Sequence, residues 1–187
     1  MMQGEYHSML EICKVSPSFA PHPICWGSCA EETGRHFLLL KFHDLKSGTP
    51  SAADFAREFA KLHKESSSPN AMFGFHLTTY NGNLPQNNMW TKSWEEFFSN
   101  GIWSMLALEE EARGPSEELQ ELSKALLGKV VPRLLRPLET QGRTVKPSLL
   151  HGDLWIGNIA SDKATGQPVV FDSSAYYGHH ECEFCFF

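Results

Sequence analysis

No stretch of this sequence stays apolar for the roughly 20 residues that a bilayer-crossing helix requires, so a membrane-spanning helix is not expected. Basic clusters are also missing. Its 16 Lys and Arg residues are scattered among 22 Asp and Glu residues for a net charge of -6, which builds no surface for a nucleic acid. The opening Met1-Met2-Gln3-Gly4-Glu5 lacks the basic-then-apolar order of a secretion signal, which makes the cytoplasm the expected compartment. Cysteine is sparse and odd in number, five in all; without an export signal this points to reduced thiols and against a disulfide framework. Cys13, Cys25 and Cys29 read as small core or surface residues. Internal repeats and low-complexity tracts are absent too, which excludes solenoid and fibrous architectures.

What is present is a 187-residue chain, 41% hydrophobic, long enough for one ordinary globular domain or part of a two-lobed one. Residues 1–12 read as a short helix carrying Glu5 and Met9, followed by a Pro-rich passage that must turn or extend. Residues 23–28 and 35–42 are short apolar runs around a polar turn containing Gly34, as a hairpin requires. From Ser51, Phe55, Phe59 and Leu62 recur at helical spacing among alanines. Residues 66–70 end that helix, and residues 73–86 form an irregular loop rich in Gly, Asn and Pro, of the kind that often holds ligands. Ser93 followed by Glu95 and Glu96 caps another helix, with Phe97, Ile102, Met105 and Leu106 on its apolar face and Gly114-Pro115 at its end. Ser116 opens the next, with Leu119, Leu122, Leu126 and Leu127 facing inward as far as about Val131 and a restart after Pro132. Residues 148–150 and 168–171 read as buried strands.

Between those strands lies His151-Gly152-Asp153-Leu154-Trp155-Ile156-Gly157-Asn158, and the second strand ends at Asp172. A phosphotransferase loop needs an Asp to accept the acceptor-hydroxyl proton, an Asn five residues later on the magnesium ion, and a second Asp beyond one hairpin. Asn158 stands five residues after Asp153, and Asp172 stands 19 after it. The donor set suits magnesium, which prefers hard oxygen ligands and takes the rest from phosphates and water. His151 is expected to support the loop through hydrogen bonds and not to act as the base. Gly, Asp and Asn are also common turn residues, so a plain surface turn is the competing reading; two bracketing strands and the closing Asp172 favour the catalytic one.

With Trp155 after His151-Gly152-Asp153-Leu154 and Gly157 before Asn158, this loop resembles that of the fructosamine kinases, including the ribulosamine 3-kinases, within the aminoglycoside phosphotransferase and choline kinase group. Asp172-Ser173-Ser174-Ala175-Tyr176-Tyr177-Gly178-His179 resembles the family's metal loop, and Glu181 and Glu183 its following acidic pair. The stretch Phe73-Gly74-Phe75-His76, with Gly82, Pro85-Gln86, Trp90 and Trp94-Glu95-Glu96-Phe97-Phe98, extends the resemblance over most of residues 62–184. It implies an α+β, protein-kinase-like two-lobed fold. Residues 1–47 would be the remnant of the ATP-binding lobe and its hinge, and residues 48–187 part of the helical catalytic lobe. The implied activity is ATP- and Mg2+-dependent phosphorylation of the 3-hydroxyl of a ketosamine, free or protein-bound, which serves protein deglycation. Asp153 would accept the proton, Asn158 and Asp172 would ligate the metal, and Lys41, Phe42, His43 and Glu5 would face the nucleotide.

Other readings stay open beside these. Lys41 to His43 equally fit a plain strand end. Trp155 fits either a sugar-stacking ring or an ordinary aromatic, while Trp90, Trp94 and Phe98 read as core. No Gly-rich loop and no lysine precede Glu5, and the chain ends at Cys185-Phe186-Phe187, so on the resemblance it is expected to be short at both ends. An impaired homologue acting as a binding or regulatory protein is therefore the alternative to an active kinase. A zinc module built from His179, His180, Cys182 and Cys185 is a third possibility.

Overall fold

The computed structural model describes residues 1–46 and 48–184 and is mixed helix and sheet. Helix α1 (Met2–Val15) ends three residues later than the expected helix and buries Ser8, Met9, Ile12 and Cys13 along one face. Strands β1 (Pro23–Ser28) and β2 (His36–Leu40) pair antiparallel, as the two apolar runs required. The second run stops at Leu40, and Lys41, Phe42 and His43 leave the ladder.

A strand too short to notice in the sequence, β3 (Leu45–Lys46), then joins a second sheet in the order β3-β7-β8, with β7 at Ile159–Asp162 and β8 at Pro168–Val170. The linker after β2 is thereby stitched to the hairpin that follows the catalytic loop. Helix α2 (Ala52–Glu65) turns Phe59, Leu62 and His63 inward. Strand β6 (Ser148–Leu150) pairs with β9 (Tyr176–Gly178), so the segments entering the catalytic loop and leaving the metal loop lie side by side. The small hairpin β4 (Tyr80–Asn81) and β5 (Leu84–Pro85) lies within the irregular passage.

One buried cluster joins these pieces: Met9, Ile12 and Phe19 meet Phe59, Leu62, Leu149, Leu154 and Val170. Each such side chain contributes about 1.5–3 kcal/mol by leaving water, and together they place α1, α2 and the catalytic hairpin on a common core.

Helix α3 (Trp94–Arg113) is capped as expected, with Ser93 Oγ accepting the Glu96 N–H at 3.4 Å, and buries Trp94 and Phe97. Its later apolar residues, Ile102, Met105 and Leu106, are only half-buried, because among the described residues they border an open groove. Helix α4 (Glu117–Ala125) runs through a π turn (Leu126–Val130) into α5 (Val131–Leu135) without a break. The π turn lets the Val131 N–H reach back to Leu126, accommodating Pro132, which has no N–H to donate. Of the four leucines expected inward here, Leu127 is buried and Leu119 partly so, whereas Leu122 and Leu126 are exposed. Heptad-like spacing marks an apolar stripe; it does not say how much of the stripe a neighbouring element covers.

Candidate active site

The catalytic loop is held by its own backbone. His151 is fully buried; its Nε2 lies 3.0 Å from the Phe171 carbonyl, and its Nδ1 is 3.4 Å from the Asp153 N–H. One tautomer satisfies both contacts: Nε2–H donates and Nδ1 accepts, which requires a neutral ring. Burial holds His151 below the usual imidazole range and so favours that form. The supporting role expected of this residue has a geometry to match.

Gly152 takes a left-handed backbone (φ +83°) directly against Ser174, where a Cβ would overlap the Ser174 carbonyl. The His151 carbonyl accepts from Ser173 Oγ at 2.8 Å and from the Ser174 N–H at 3.0 Å. Catalytic loop and metal loop are thus pressed together, and Asp153 and Asp172 leave them at neighbouring points.

Asn158, almost completely buried, donates from Nδ2 to the Asp153 carbonyl at 2.8 Å and to its carboxylate Oδ2 at 3.1 Å. With Nδ2 engaged there, Oδ1 is the atom Asn158 offers to a cation. Asp172 lies just past β8 with φ +58°, a left-handed conformation that Asp tolerates better than most residues. Burial raises the Asp153 carboxyl above its ordinary range, and the charge of Asp172 adds to the rise against the opposing Asn158 hydrogen bond. Glu5 on α1 is pushed up to about 7 by burial and then by Asp172. Asp172 thus raises both of its acidic neighbours, and a carboxylate with the Asn158 amide oxygen is the kind of hard-oxygen donor set a divalent cation takes.

Helix α1 reaches this site through Ser8, whose Oγ accepts the Ala175 N–H at 2.9 Å and donates to the Gly4 carbonyl at 2.8 Å. The metal loop is held from its other side by Thr79 and Gln86, both donating to the Ser174 carbonyl, at 3.2 and 2.8 Å. The Gly- and Asn-rich passage expected to hold ligands here supports the loop that would hold one.

The remaining sequence-flagged residues are more dispersed. The Lys41 N–H donates to the His22 carbonyl at 2.8 Å, and Phe42 is 85% exposed. His43 Nδ1 lies 3.3 Å from Asp162 Oδ2, near enough for attraction but not aligned as a hydrogen bond. A cavity of about 390 Å3 lies between β3 and Ile156 and Ile159 at the end of the catalytic loop. Trp155 is half-exposed, and its ring folds back over Gly157 so closely that any Cβ there would overlap it. Trp94 is core, while Trp90 and Phe98 pack partly buried around it and Tyr177. A groove of about 850 Å3 runs from Gly152, Leu154 and Glu183 along Phe98, Ile102 and Met105 of α3.

Cys185 of the zinc alternative lies outside the described residues. Among the described residues no trio of His, Cys, Asp or Glu side chains is gathered for a metal, so the structure lends that alternative no support. Cys13, Cys25 and Cys29 are free thiols, Cys13 buried and Cys25 exposed.

The resemblance places Glu183 in an acidic pair with Glu181. Glu183 is a buried anchor: Oε2 accepts the His151 N–H at 2.6 Å and Oε1 the Gly152 N–H at 3.1 Å. Its position about 30 residues beyond the loop gives no local signal; only an acid amid Cys182 and Phe184 hinted at burial.

The family model described as fructosamine kinase matches residues 1–187. The chain belongs to the fructosamine kinase family. Among fructosamine kinase relatives, the chloroplastic protein-ribulosamine 3-kinase of Oryza sativa subsp. japonica is 32% identical over 98% of this chain and 51% of its own length. The ketosamine-3-kinase of Mus musculus is also 32% identical, over 98% of this chain and 63% of its own length. A crystal structure of a candidate fructosamine-3-kinase from Haemophilus somnus 129PT superposes with a TM-score of 0.73 at 26% identity, covering 98% of this chain and 57% of that one. The chain therefore spans between about half and two thirds of the length of these fructosamine kinase relatives. No helix among the described residues is long and apolar enough to cross a membrane.

Proposed function

We propose that this chain carries the catalytic centre of an ATP-dependent ketosamine 3-kinase that phosphorylates the 3-hydroxyl of a ribulosamine or fructosamine, free or on a glycated protein, in the cytoplasm. The observation that carries the reading is the Asp153, Asn158 and Asp172 arrangement, in which one carboxylate is left free as a base beside a hard-oxygen cation site. Asp153 accepts the acceptor-hydroxyl proton; its raised affinity for a proton makes it the stronger base, and the Asn158 hydrogen bond fixes its orientation. Asn158 and Asp172 would hold Mg2+, which would supply neutralisation of phosphate charge. His151, neutral and buried, keeps the loop from rotating. Residues 1–47 supply the nucleotide-facing part, with Phe42 available to stack on adenine and Lys41, His43 and Glu5 around it, and residues 48–187 the catalytic part. Trp155, half-exposed beside Asp153, meets the sugar.

The test is thermal unfolding with and without MgATP, for the parent and for Asp172→Ala. Ligand at about 100 times its dissociation constant adds roughly 2.7 kcal/mol of stability. The parent is expected to shift upward only with metal present, the variant not at all, and phosphoryl transfer to a ribulosamine is expected to follow. A cooperatively folded parent with no shift would overturn the reading and leave a binding or regulatory homologue.

A further inference from the structure

Several backbone groups around Asp153 have fixed partners. The His151 carbonyl takes two donors from the metal loop, the Asp153 N–H goes to His151 Nδ1, and the Asp153 carbonyl goes to Asn158. The two N–H groups that remain, those of His151 and Gly152, converge on one carboxylate because Gly152 is left-handed, which aims successive amides into a shared concavity. That carboxylate belongs to Glu183, whose side chain is completely buried.

Glu183 is held from behind by helix α2. His63 Nε2 lies 3.4 Å from Glu183 Oε2, and its ring packs edge-on against Phe59. The end of α2 is joined to the start of β6 as well: Lys146 Nζ donates to the His63 and Lys64 carbonyls, and Ser66 Oγ accepts the Leu149 N–H at 2.9 Å. A buried carboxylate is costly unless its oxygens are occupied by donors, and here three donors from two segments occupy them.

We propose that Glu183 is a positioning residue for Asp153, and that His63 and Glu183 form the polar bridge through which α2 sets the direction of the catalytic loop. Rotation of the 151–152 peptide plane would swing Asp153 away from the acceptor hydroxyl; Glu183 restrains the N–H edge of that plane, as Ser173 and Ser174 restrain its carbonyl edge. Glu183 lies behind the loop and touches no reacting atom. The consequence for rate rests on the proposed kinase reading; the consequence for geometry does not.

The test uses Glu183→Gln and His63→Gln in the full chain. A glutamine keeps the shape of Glu183 but places an NH2 group against one of two N–H donors, so one contact must be lost. The amide-proton resonances of His151 and Gly152, assigned in the 21.1 kDa protein, are read first. At least one is expected to move upfield in Glu183→Gln, as a charge-assisted bond becomes a neutral or broken one. His63→Gln, which leaves both N–H bonds in place, is expected to move both by less. For phosphoryl transfer, kcat is expected to fall about 100-fold, the scale of a displacement near 1 Å, with KM for MgATP within about twofold. Unmoved amides in a folded Glu183→Gln protein would overturn the proposal, as would an unchanged kcat alongside a lower melting temperature. If Glu183→Gln does not fold, the His63→Gln amides decide: unmoved, they overturn the bridge. A parent without transferase activity defeats the kinase reading alone, because the amide resonances still report on Glu183.

Discussion

Acidification is expected to charge His151 in the unfolded chain well before it does so in the folded one. An unfolded histidine binds its proton near pH 6.5, whereas burial depresses the folded value. Below about 6.5 the unfolded state therefore holds more protons, and stability falls as pH falls. If the folded ring stays neutral throughout, the loss between pH 7 and 5.5 is about 1.2 kcal/mol, approaching a limiting slope of about 1.4 kcal/mol per unit. Glu5 works in the opposite direction. Its carboxyl, raised to about 7, retains a proton in the folded state that the unfolded state has released, so its contribution declines as pH rises between about 4.5 and 7. The raw pH profile mixes the two slopes, and only a difference isolates His151. The comparison is with His151→Gln, whose amide can still donate to the Phe171 carbonyl but carries no titrating group. Urea unfolding of both proteins at pH 7, 6 and 5.5 gives the stability gap, from midpoints and a common m-value. The parent's advantage is expected to shrink by about 1.2 kcal/mol over that range. A gap that stays constant would mean that the folded ring accepts a proton as readily as the unfolded one, and the neutral-tautomer account of the loop would fail.

Two further perturbations address the contact between the loops. Gly152→Ala combines a left-handed penalty of about 1–2 kcal/mol with the overlap on the Ser174 carbonyl, so denaturant unfolding is expected to show at least that loss; a neutral result would mean the two loops are not pressed together. Ser8→Ala leaves the Ala175 N–H buried without its acceptor and is expected to cost about 1–3 kcal/mol. A change within about 0.5 kcal/mol, the usual range for surface positions, would show that α1 is not anchored to the metal loop through this hydroxyl.

The parts of the fold that the sequence made legible are those specified over short distances. Phe55, Phe59 and Leu62 announce α2 because helical spacing is a local property, and β1 with β2 follows from two apolar runs across a tight turn. The Asp153, Asn158 and Asp172 spacing is readable for the same reason, since a loop and one hairpin impose it. What escaped depends on partners remote in the chain. Glu183 closes onto residues 31 and 32 positions earlier, and Ser8 onto one 167 positions later. The two residues of β3 carry no pattern of their own and become a strand only because β7 offers a free edge. Leu122 and Leu126 show the converse: a legible apolar stripe without a described neighbour to cover it.

The stitching of β3 to β7 has a mechanical meaning. Lys41 is tied backwards to His22, while Asp44 accepts from the Lys163 N–H at 2.8 Å and Leu45 and Lys46 are already paired with the catalytic hairpin. On this side of the β1–β2 hairpin, only Phe42 and His43 separate the Lys41 tie from the residues bonded to the catalytic hairpin. A connection that short leaves the two sheets little slack on this side, and it holds the exposed Phe42 ring at the junction between them.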